Sequence, residues 1–431
     1  MSAGREPSRT IAQAVSCLDG YDPEALPVGK AREAIRACLT PIAEVETVLI
    51  RQALGRVLAQ AVVPGIDVPG HDNSAMDGWA VRSADLSFSQ DVSLKEIGSA
   101  FAGKVFKGRI QPGECVRVMT GAVMPQGADT VVVQELCRAD RARVIVPRGQ
   151  KAGQNVRAAG EDLKAGVPVL KAGQPVRAAE LGLIASLGIA ELCVKRRLRV
   201  AFFSTGDELA SIGAPLQQGQ VYDSNRYTLH GMLQGLGVEI IDLGVVRDDP
   251  AKLEAAFGEA AARADAVITT GGVSVGEADF VRPLMAKLGE VLFWKIAMRP
   301  GRPMAFGKID SGAGPAFLFG LPGNPVAVMV TFHQLVRDAL LVLGGRTDAF
   351  EIPLLKALSA SPMRKVPGRT EYQRGVLFRD GAEWKVRPTG QQGSGVLRSM
   401  SEANCFIVLE HERGRIEAGE LVSVQLMDAL S

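Results

Sequence analysis

The chain has 431 residues, 47% apolar and 22% charged, which is globular and too long for one ordinary core, so about three domains is the starting expectation. A formal net charge of +2 excludes a global field toward nucleic acid or an acidic membrane. Cys17, Cys38, Cys115, Cys137, Cys193 and Cys405 show no CxxC spacing, and four scattered histidines make a zinc site a poor reading. The cysteine pattern fits a reducing compartment. The first residues, MSAGREPSRT, lack the apolar core of a signal peptide, and no unbroken apolar run reaches the ~18 residues of a membrane span. The chain therefore reads as cytoplasmic.

Residues 1–24 read as a loose tail with a short helix. Pro27 to Gln60 reads as helical, with Ala31, Ile35 and Leu39 on one face and RQALGRVLAQ as a second helical run. The stretch VVPGIDVPGHDNSAMDGWAVR that follows is dense in Pro, Gly, Asp and Asn and keeps neither periodicity. It is either a set of self-capped turns or a functional loop carrying Asp67, Asp72 and Asp77. GWAV, CVRVM, TVVVQEL and RVIVP then predict short strands, one of them closed by Thr120-Gly121. GQNVRAAGEDLKAG is loop again, with Arg157, Glu161 and Asp162, and AAELGLIASLGIAEL returns to helix. Helices on both sides of a β segment suggest an insertion, 63–154, on a helical stalk formed by 10–62 and 155–193.

Residues 194–345 alternate strand and helix, the pattern of a mostly parallel sheet covered on both faces. Lys195, Arg196, Arg197 and Arg199 precede its first strand and read as a solvated linker edge. Polar turns follow four strands: Gly206-Asp207-Glu208, Arg247-Asp248-Asp249, Gly271-Gly272 and Pro322-Gly323-Asn324-Pro325. Carboxyl ends of strands are where open α/β sheets bind ligands. The third turn is the most informative. In DAVITTGGVSVGEADF, a buried strand meets paired glycines, then Ser274, Glu277 and Asp279, then a helical pattern. Such a turn can cradle phosphate. A carboxylate ~4 Å from a phosphate is repelled by ~4 kcal/mol at an effective dielectric near 20, so Asp279 there implies a cation, with Mg²⁺ the ready candidate. A glycine turn with solvated acids is the alternative on these residues alone. FWKIAMRPGRP adds Lys295, Arg299 and Arg302, either three solvated cations or an oxyanion site. Residues 346–431 alternate as strands, with a hairpin turn at Arg379-Asp380-Gly381, and predict a small β domain resembling a partial barrel. One loop in it, TGQQGSGVL, sets Ser394 between glycines.

Taken together, DVPGHDNSAMDGWAVR, MTGAVMP, NVRAAGED, STGDEL, RDDP, TTGGVSVGEADF, MRPGRP, LPGNPVAV and QGSG resemble, in order, the molybdopterin molybdenumtransferases of the MoeA and gephyrin E-domain type. The resemblance runs from about residue 28 to 425. STGDEL and TTGGVSVGEAD alone would indicate only the wider molybdopterin-binding fold; the DNSAMDG loop and terminal β domain narrow it.

The resemblance implies a three-layer α/β molybdopterin-binding domain, a β-rich insertion on a helical stalk and a C-terminal β-barrel-like domain. It further implies a homodimer whose cleft lies between one subunit's α/β domain and its partner's insertion. The implied reaction joins molybdate to adenylylated molybdopterin, releases AMP and uses Mg²⁺; contact with a molybdopterin adenylyltransferase is implied as well. Carried over by motif, Asp77, Thr120, Glu208, Asp248, Asp279, Lys295, Arg299 and Ser394 are the expected functional positions. Glu208, Asp279 and Asp77 are expected at the metal, with Asp77 otherwise a proton donor and acceptor. Lys295, Arg299 and Ser394 are expected on molybdate, Gly271, Gly272 and Ser274 on phosphate, and Asp248 on substrate. Arg157 and Asp162 belong to the partner's side, and Pro322 and Pro325 shape their turn. Arg299 and Arg302 stand where lysines are common, Ala158 and Ala159 where arginines are, His71 for another aromatic and Trp79 for tyrosine. Competing readings are an adenylyltransferase using MgATP and a non-catalytic cofactor-binding scaffold.

Overall fold

A computed structural model describes residue 11 and residues 24–271, 281–310, 314–348 and 353–427. Its central sheet runs in the order Glu239–Val246, Arg199–Thr205, Ala266–Thr270, Pro315–Leu321, Pro303–Asp310, Gly289–Lys295. The first four strands are mutually parallel and the last two antiparallel, so the sheet is mixed at one edge. Successive side chains of a strand face opposite sides. Phe202 accordingly enters one core and Phe203 the other. Helices Ser224–Gly235 and Pro325–Thr331, with the turns that continue the latter to Leu343, cover the first face. Helices Pro250–Arg263 and Val281–Leu288 cover the second, through Leu253, Phe257, Leu284 and Met285. Each fully buried large apolar side chain contributes about 1.5–3 kcal/mol relative to exposure. The three layers follow from strands that are apolar on both faces.

Two predicted helices behave differently. Val28–Cys38 is helical, but Ala31, Ala34 and Ile35 pack into the first core of the α/β sheet. RQALGRVLAQ is not a helix: it holds only the short turn Ile50–Gln52 and then runs extended. Gly55 sits at φ 75°, which ends helical continuation, and Val57, Leu58 and Val62 bridge Pro175, Val194 and Leu170. Pairing of Val45–Leu49 with Glu191–Lys195 and burial of Val48, Leu58 and Val194 override helix propensity here. Ala178–Ser186 is the helix in this small module.

The insertion is a six-stranded sheet ordered Thr130–Val133, Gly78–Val81, Glu114–Val118, Val92–Ala100, Arg143–Val146, Arg138–Asp140. Strand Val92–Ala100 escaped the sequence reading because Lys95, Glu96 and Gly98 dilute its alternation. The C-terminal sheet closes: Thr370–Asp380 pairs with both Glu383–Pro388 and Cys405–Leu409. The expected partial barrel is therefore complete, with Leu355–Ser359 and Leu421–Leu426 filling the ring.

The segment Pro325–Leu343 is long and apolar enough by composition to cross a membrane, which the sequence reading did not allow. It is 72% buried within the fold, as a core helix.

Candidate active site

The four parallel strands end on one edge, which brings their polar turns together. Gly271 closes Ala266–Thr270 at φ 88°, and a Cβ there would lie 2.5 Å from the Thr205 carbonyl. Only glycine fits that approach. Its N–H donates to Leu321 O (3.2 Å), so phosphate contacts from this turn would have to come from beyond it. Gly272, Ser274 and Asp279 lie outside the described residues.

Glu208 follows strand Arg199–Thr205, and a Cβ on Gly206 would meet its carboxylate at 2.5 Å. Asp248 lies near enough to feel it: burial, then Asp207 and Glu208, push the Asp248 carboxyl above its ordinary value. These three acids crowd one corner of the edge. Among the described residues, no group of three His, Cys, Asp or Glu side chains is arranged to hold a metal.

Beside this corner, Asn225 Nδ2 donates to Gly323 O (2.7 Å) and fixes the Pro322–Pro325 turn. Asp223 caps the helix by accepting from Arg226 N (3.1 Å), and Pro325 begins the next helix. Among the described residues, Thr205 Oγ1, Asp223 Oδ2 and Asn225 Oδ1 are buried without a hydrogen-bond partner. Such groups are rare and costly unless a ligand or water meets them.

A cleft of about 300 Å³ opens between this edge and the barrel, walled by Arg299, Arg302, Pro322, Arg369, Gln392 and Ser394 among others. Met298–Arg299 pairs in parallel with Thr370–Glu371, which carries the Arg-Pro-Gly-Arg turn onto the barrel rim. Arg299 Nη1 lies 3.8 Å from Glu371, and Arg369 Nε 3.2 Å from the same carboxylate. Ser394 O accepts from Val326 N (3.1 Å), docking its loop on the core helix. Lys295 ends its strand in an ion pair with Glu24 rather than in the wall of this cleft.

Asp77 and Thr120 come together elsewhere. Asp77 Oδ1 accepts from Thr120 N (2.7 Å) and Thr120 Oγ1 (2.8 Å), and these bonds hold its carboxyl below the ordinary value. Residues Asn73-Ser74 pair with Val156-Arg157, joining the two loops singled out in the sequence. Arg157 Nε sits 3.4 Å from Glu161, and Asp162 N donates to Val68 O (3.0 Å). Neither Asp77 nor Thr120 lines the cleft of its own chain.

Three family models cover this architecture in order. The MoeA N-terminal region (domain I and II) matches residues 26–188, the probable molybdopterin binding domain 201–342, and the MoeA C-terminal region (domain IV) 356–427. A molybdopterin molybdenumtransferase of Haemophilus influenzae is 42% identical over 93% of this chain and 98% of its own. The chain belongs to the MoeA family. A second relative of the same name from Nostoc is 39% identical over 88% of both chains. Two solved MoeA structures from Pyrococcus horikoshii share the fold, at TM-scores of 0.75 and 0.79, with 32% and 28% identity over 94% of this chain. They cover 99% and 100% of the solved chains.

Within this MoeA chain, Arg369 and Gln392 are wall residues that sequence reasoning missed, and so is Asn225, which fixes the adjoining turn without lining the cleft. Arg369 and Gln392 lie in another module, more than sixty residues from the arginines they face. Arg374 was missed too: buried, it donates to Ser399 Oγ (3.0 Å) and Gly393 O (2.9 Å) and so shapes the Ser394 loop.

Proposed function

We propose that the chain is a molybdopterin molybdenumtransferase that inserts molybdate into adenylylated molybdopterin and releases AMP, acting as a cytoplasmic homodimer. The cleft between the carboxyl edge and the barrel carries this reading, because Arg299, Arg302, Arg369 and Ser394 offer forked donors and a hydroxyl to an oxyanion. Family membership supplies the reaction class. Arginine in place of lysine at 299 and 302 keeps the charge and strengthens bidentate binding.

The crowded acids Asp207, Glu208 and Asp248 supply hard carboxylate oxygens of the kind Mg²⁺ takes, but among the described residues no three of them are arranged to hold it, so a full shell would need further donors. Glu208 would hold the ion with Asp279 and Asp77, and phosphate oxygens would complete its shell. When bound, Mg²⁺ neutralises the repulsion between substrate phosphates and these carboxylates. The hydrogen bonds from Thr120 favour the ionised form of Asp77, which suits a ligand or proton acceptor. An oxide leaving molybdate as water would need a proton from an acid at the cleft. Because Asp77, Thr120, Arg157 and Asp162 lie outside the cleft of their own chain, we place them at the cleft of a second copy. Lys295 would reach molybdate by leaving Glu24. Gly271 would set the turn, and Gly272 and Ser274 would meet the phosphates; Pro322 and Pro325 hold the adjoining turn. A molybdopterin adenylyltransferase would hand over the substrate.

The test is AMP release from purified protein mixed with adenylylated molybdopterin, molybdate and Mg²⁺. Release that requires molybdate supports the assignment, and ATP consumption with unmodified molybdopterin would instead identify an adenylyltransferase. No turnover in either mixture would leave a scaffold.

A further inference from the structure

A second cleft, of about 430 Å³, lies on the far side of the α/β module, where it meets the small module of residues 45–62 and 163–195. The Lys195-Arg196-Arg197 run forms one wall. Arg56 and Arg177 contribute from the small module, Arg337 and Arg346 from the end of the long core helix. Among the described residues, no aspartate or glutamate lines it.

These cations are held from behind. Arg196 makes a two-pronged pair with Asp265 (2.7 Å for each contact), Arg177 pairs with Glu180 (2.8 Å), Arg346 with Asp348 (3.0 Å) and Arg337 with Asp338 (2.8 Å). Arg56 pairs with Glu46 and also donates to Lys195 O (2.8 Å). Carboxylates outside the cleft thus fix five of the guanidinium groups that line it and partly balance their charge. Two helix ends adjoin it, at Gly235 and Gly344, and their carbonyls favour positive charge nearby. Arg197 Nη1 near Gly237 serves that purpose at one end. Seven cations exceed what two helix ends use. Like charges converge here at a cost: burial, with Arg346 adding to it, pulls Arg337 below its ordinary value despite Asp338. An anion in the cleft would offset that cost.

We propose that this cleft binds a di- or triphosphate chain, free or carried by a nucleoside, through Arg177, Arg197 and Arg346. The volume lies in the range of about 300–1,000 Å³ usual for small-ligand sites, and guanidinium forks match phosphate oxygens. Nothing in this proposal depends on the molybdenum-transfer assignment. The linker edge expected from the sequence becomes a binding wall because two other modules fold against it.

Calorimetric titration of the full chain without Mg²⁺, using pyrophosphate, ADP, ATP, AMP and adenosine, tests it. Pyrophosphate, ADP and ATP should bind, AMP at least tenfold more weakly, and adenosine not at all. Pyrophosphate as tight as ADP would assign the ligand to the phosphate chain alone; tighter ADP would assign it to a nucleotide. The double variant Arg177→Glu/Arg346→Glu should lose at least tenfold in affinity, while Arg263→Ala, an exposed cation that lines neither cleft, should bind as wild type. If the double variant fails to fold, Arg197→Ala reads the same site and should lose about threefold or more. Wild-type affinity in whichever charge variant folds, loss of all binding in Arg263→Ala, or adenosine binding as tightly as ADP would overturn the proposal.

Discussion

At the scale of single residues, backbone geometry makes the firmest claims. Gly271 combines a φ of 88° with a neighbouring carbonyl that a Cβ would meet at 2.5 Å. Left-handed strain of about 1–3 kcal/mol and overpacking of similar size should add, so Gly271→Ala should lower the thermal unfolding midpoint and urea midpoint of the purified protein. Side chains at the edge act on activity. Asp77→Asn should abolish AMP release while circular dichroism and oligomeric mass stay unchanged, because among the described residues its carboxylate accepts only from Thr120, at the surface of its sheet. Ser394→Ala removes one hydroxyl from the oxyanion wall and should raise the molybdate concentration needed for half-maximal AMP release. An unchanged molybdate dependence would take Ser394 out of the wall.

At the scale of elements, hydrophobic period and turn chemistry in the sequence already marked the strand and helix alternation of residues 194–345 and the polar turns that follow four strands. RQALGRVLAQ misled because its helix-favouring residues are outweighed by tertiary pairing that no local window contains. The cleft was half legible. Arg299, Arg302, Pro322 and Ser394 stand in glycine- and proline-marked turns, whereas Arg369, Gln392 and Arg374 become wall or support only after the barrel closes. The core helix supplies a pH prediction. His333, between Phe332 and Phe406, has its imidazole pushed down to about 4 by burial, with Arg337 adding to it. A depressed base binds fewer protons folded than unfolded. Its neutral form therefore supports stability fully above the ordinary value of 6.5, and that support is lost as pH falls toward about 4. The slope approaches about 1.4 kcal/mol per pH unit inside that window. Urea midpoints measured from pH 7 to 4 should fall in the native chain and fall less in His333→Leu, which isolates this group from Asp248 and the other carboxylates.

At the scale of the whole molecule, the modules are not beads on a string. Barrel residues Tyr372, Met400, Phe406 and Val408 sit in the same core as Phe202 and Phe319 of the α/β sheet, and Gln334 of the core helix donates to Gln425 (2.9 Å). The barrel is thus fixed against the edge, which keeps Ser394 facing Arg299. The insertion has its own two small cores, around Trp79 and around Val116. Its acid, Asp77, lies outside the cleft in the same chain. If the working site joins one copy's cleft to another copy's Asp77, two variants impaired at limiting molybdate should rescue each other. Asp77→Asn and Ser394→Ala chains, mixed and allowed to exchange, form mixed dimers as half of the population. One of the two sites in each mixed dimer pairs an intact cleft with an intact acid. Activity should then recover to roughly a quarter of wild type in a two-fold dimer with independent sites, even where Ser394→Ala is assayed at limiting molybdate and is nearly silent alone. A site closed within a single chain gives no recovery, since every chain in the mixture carries one lesion. Measuring AMP release before and after subunit exchange decides between the two arrangements without any knowledge of the loop that carries Asp279.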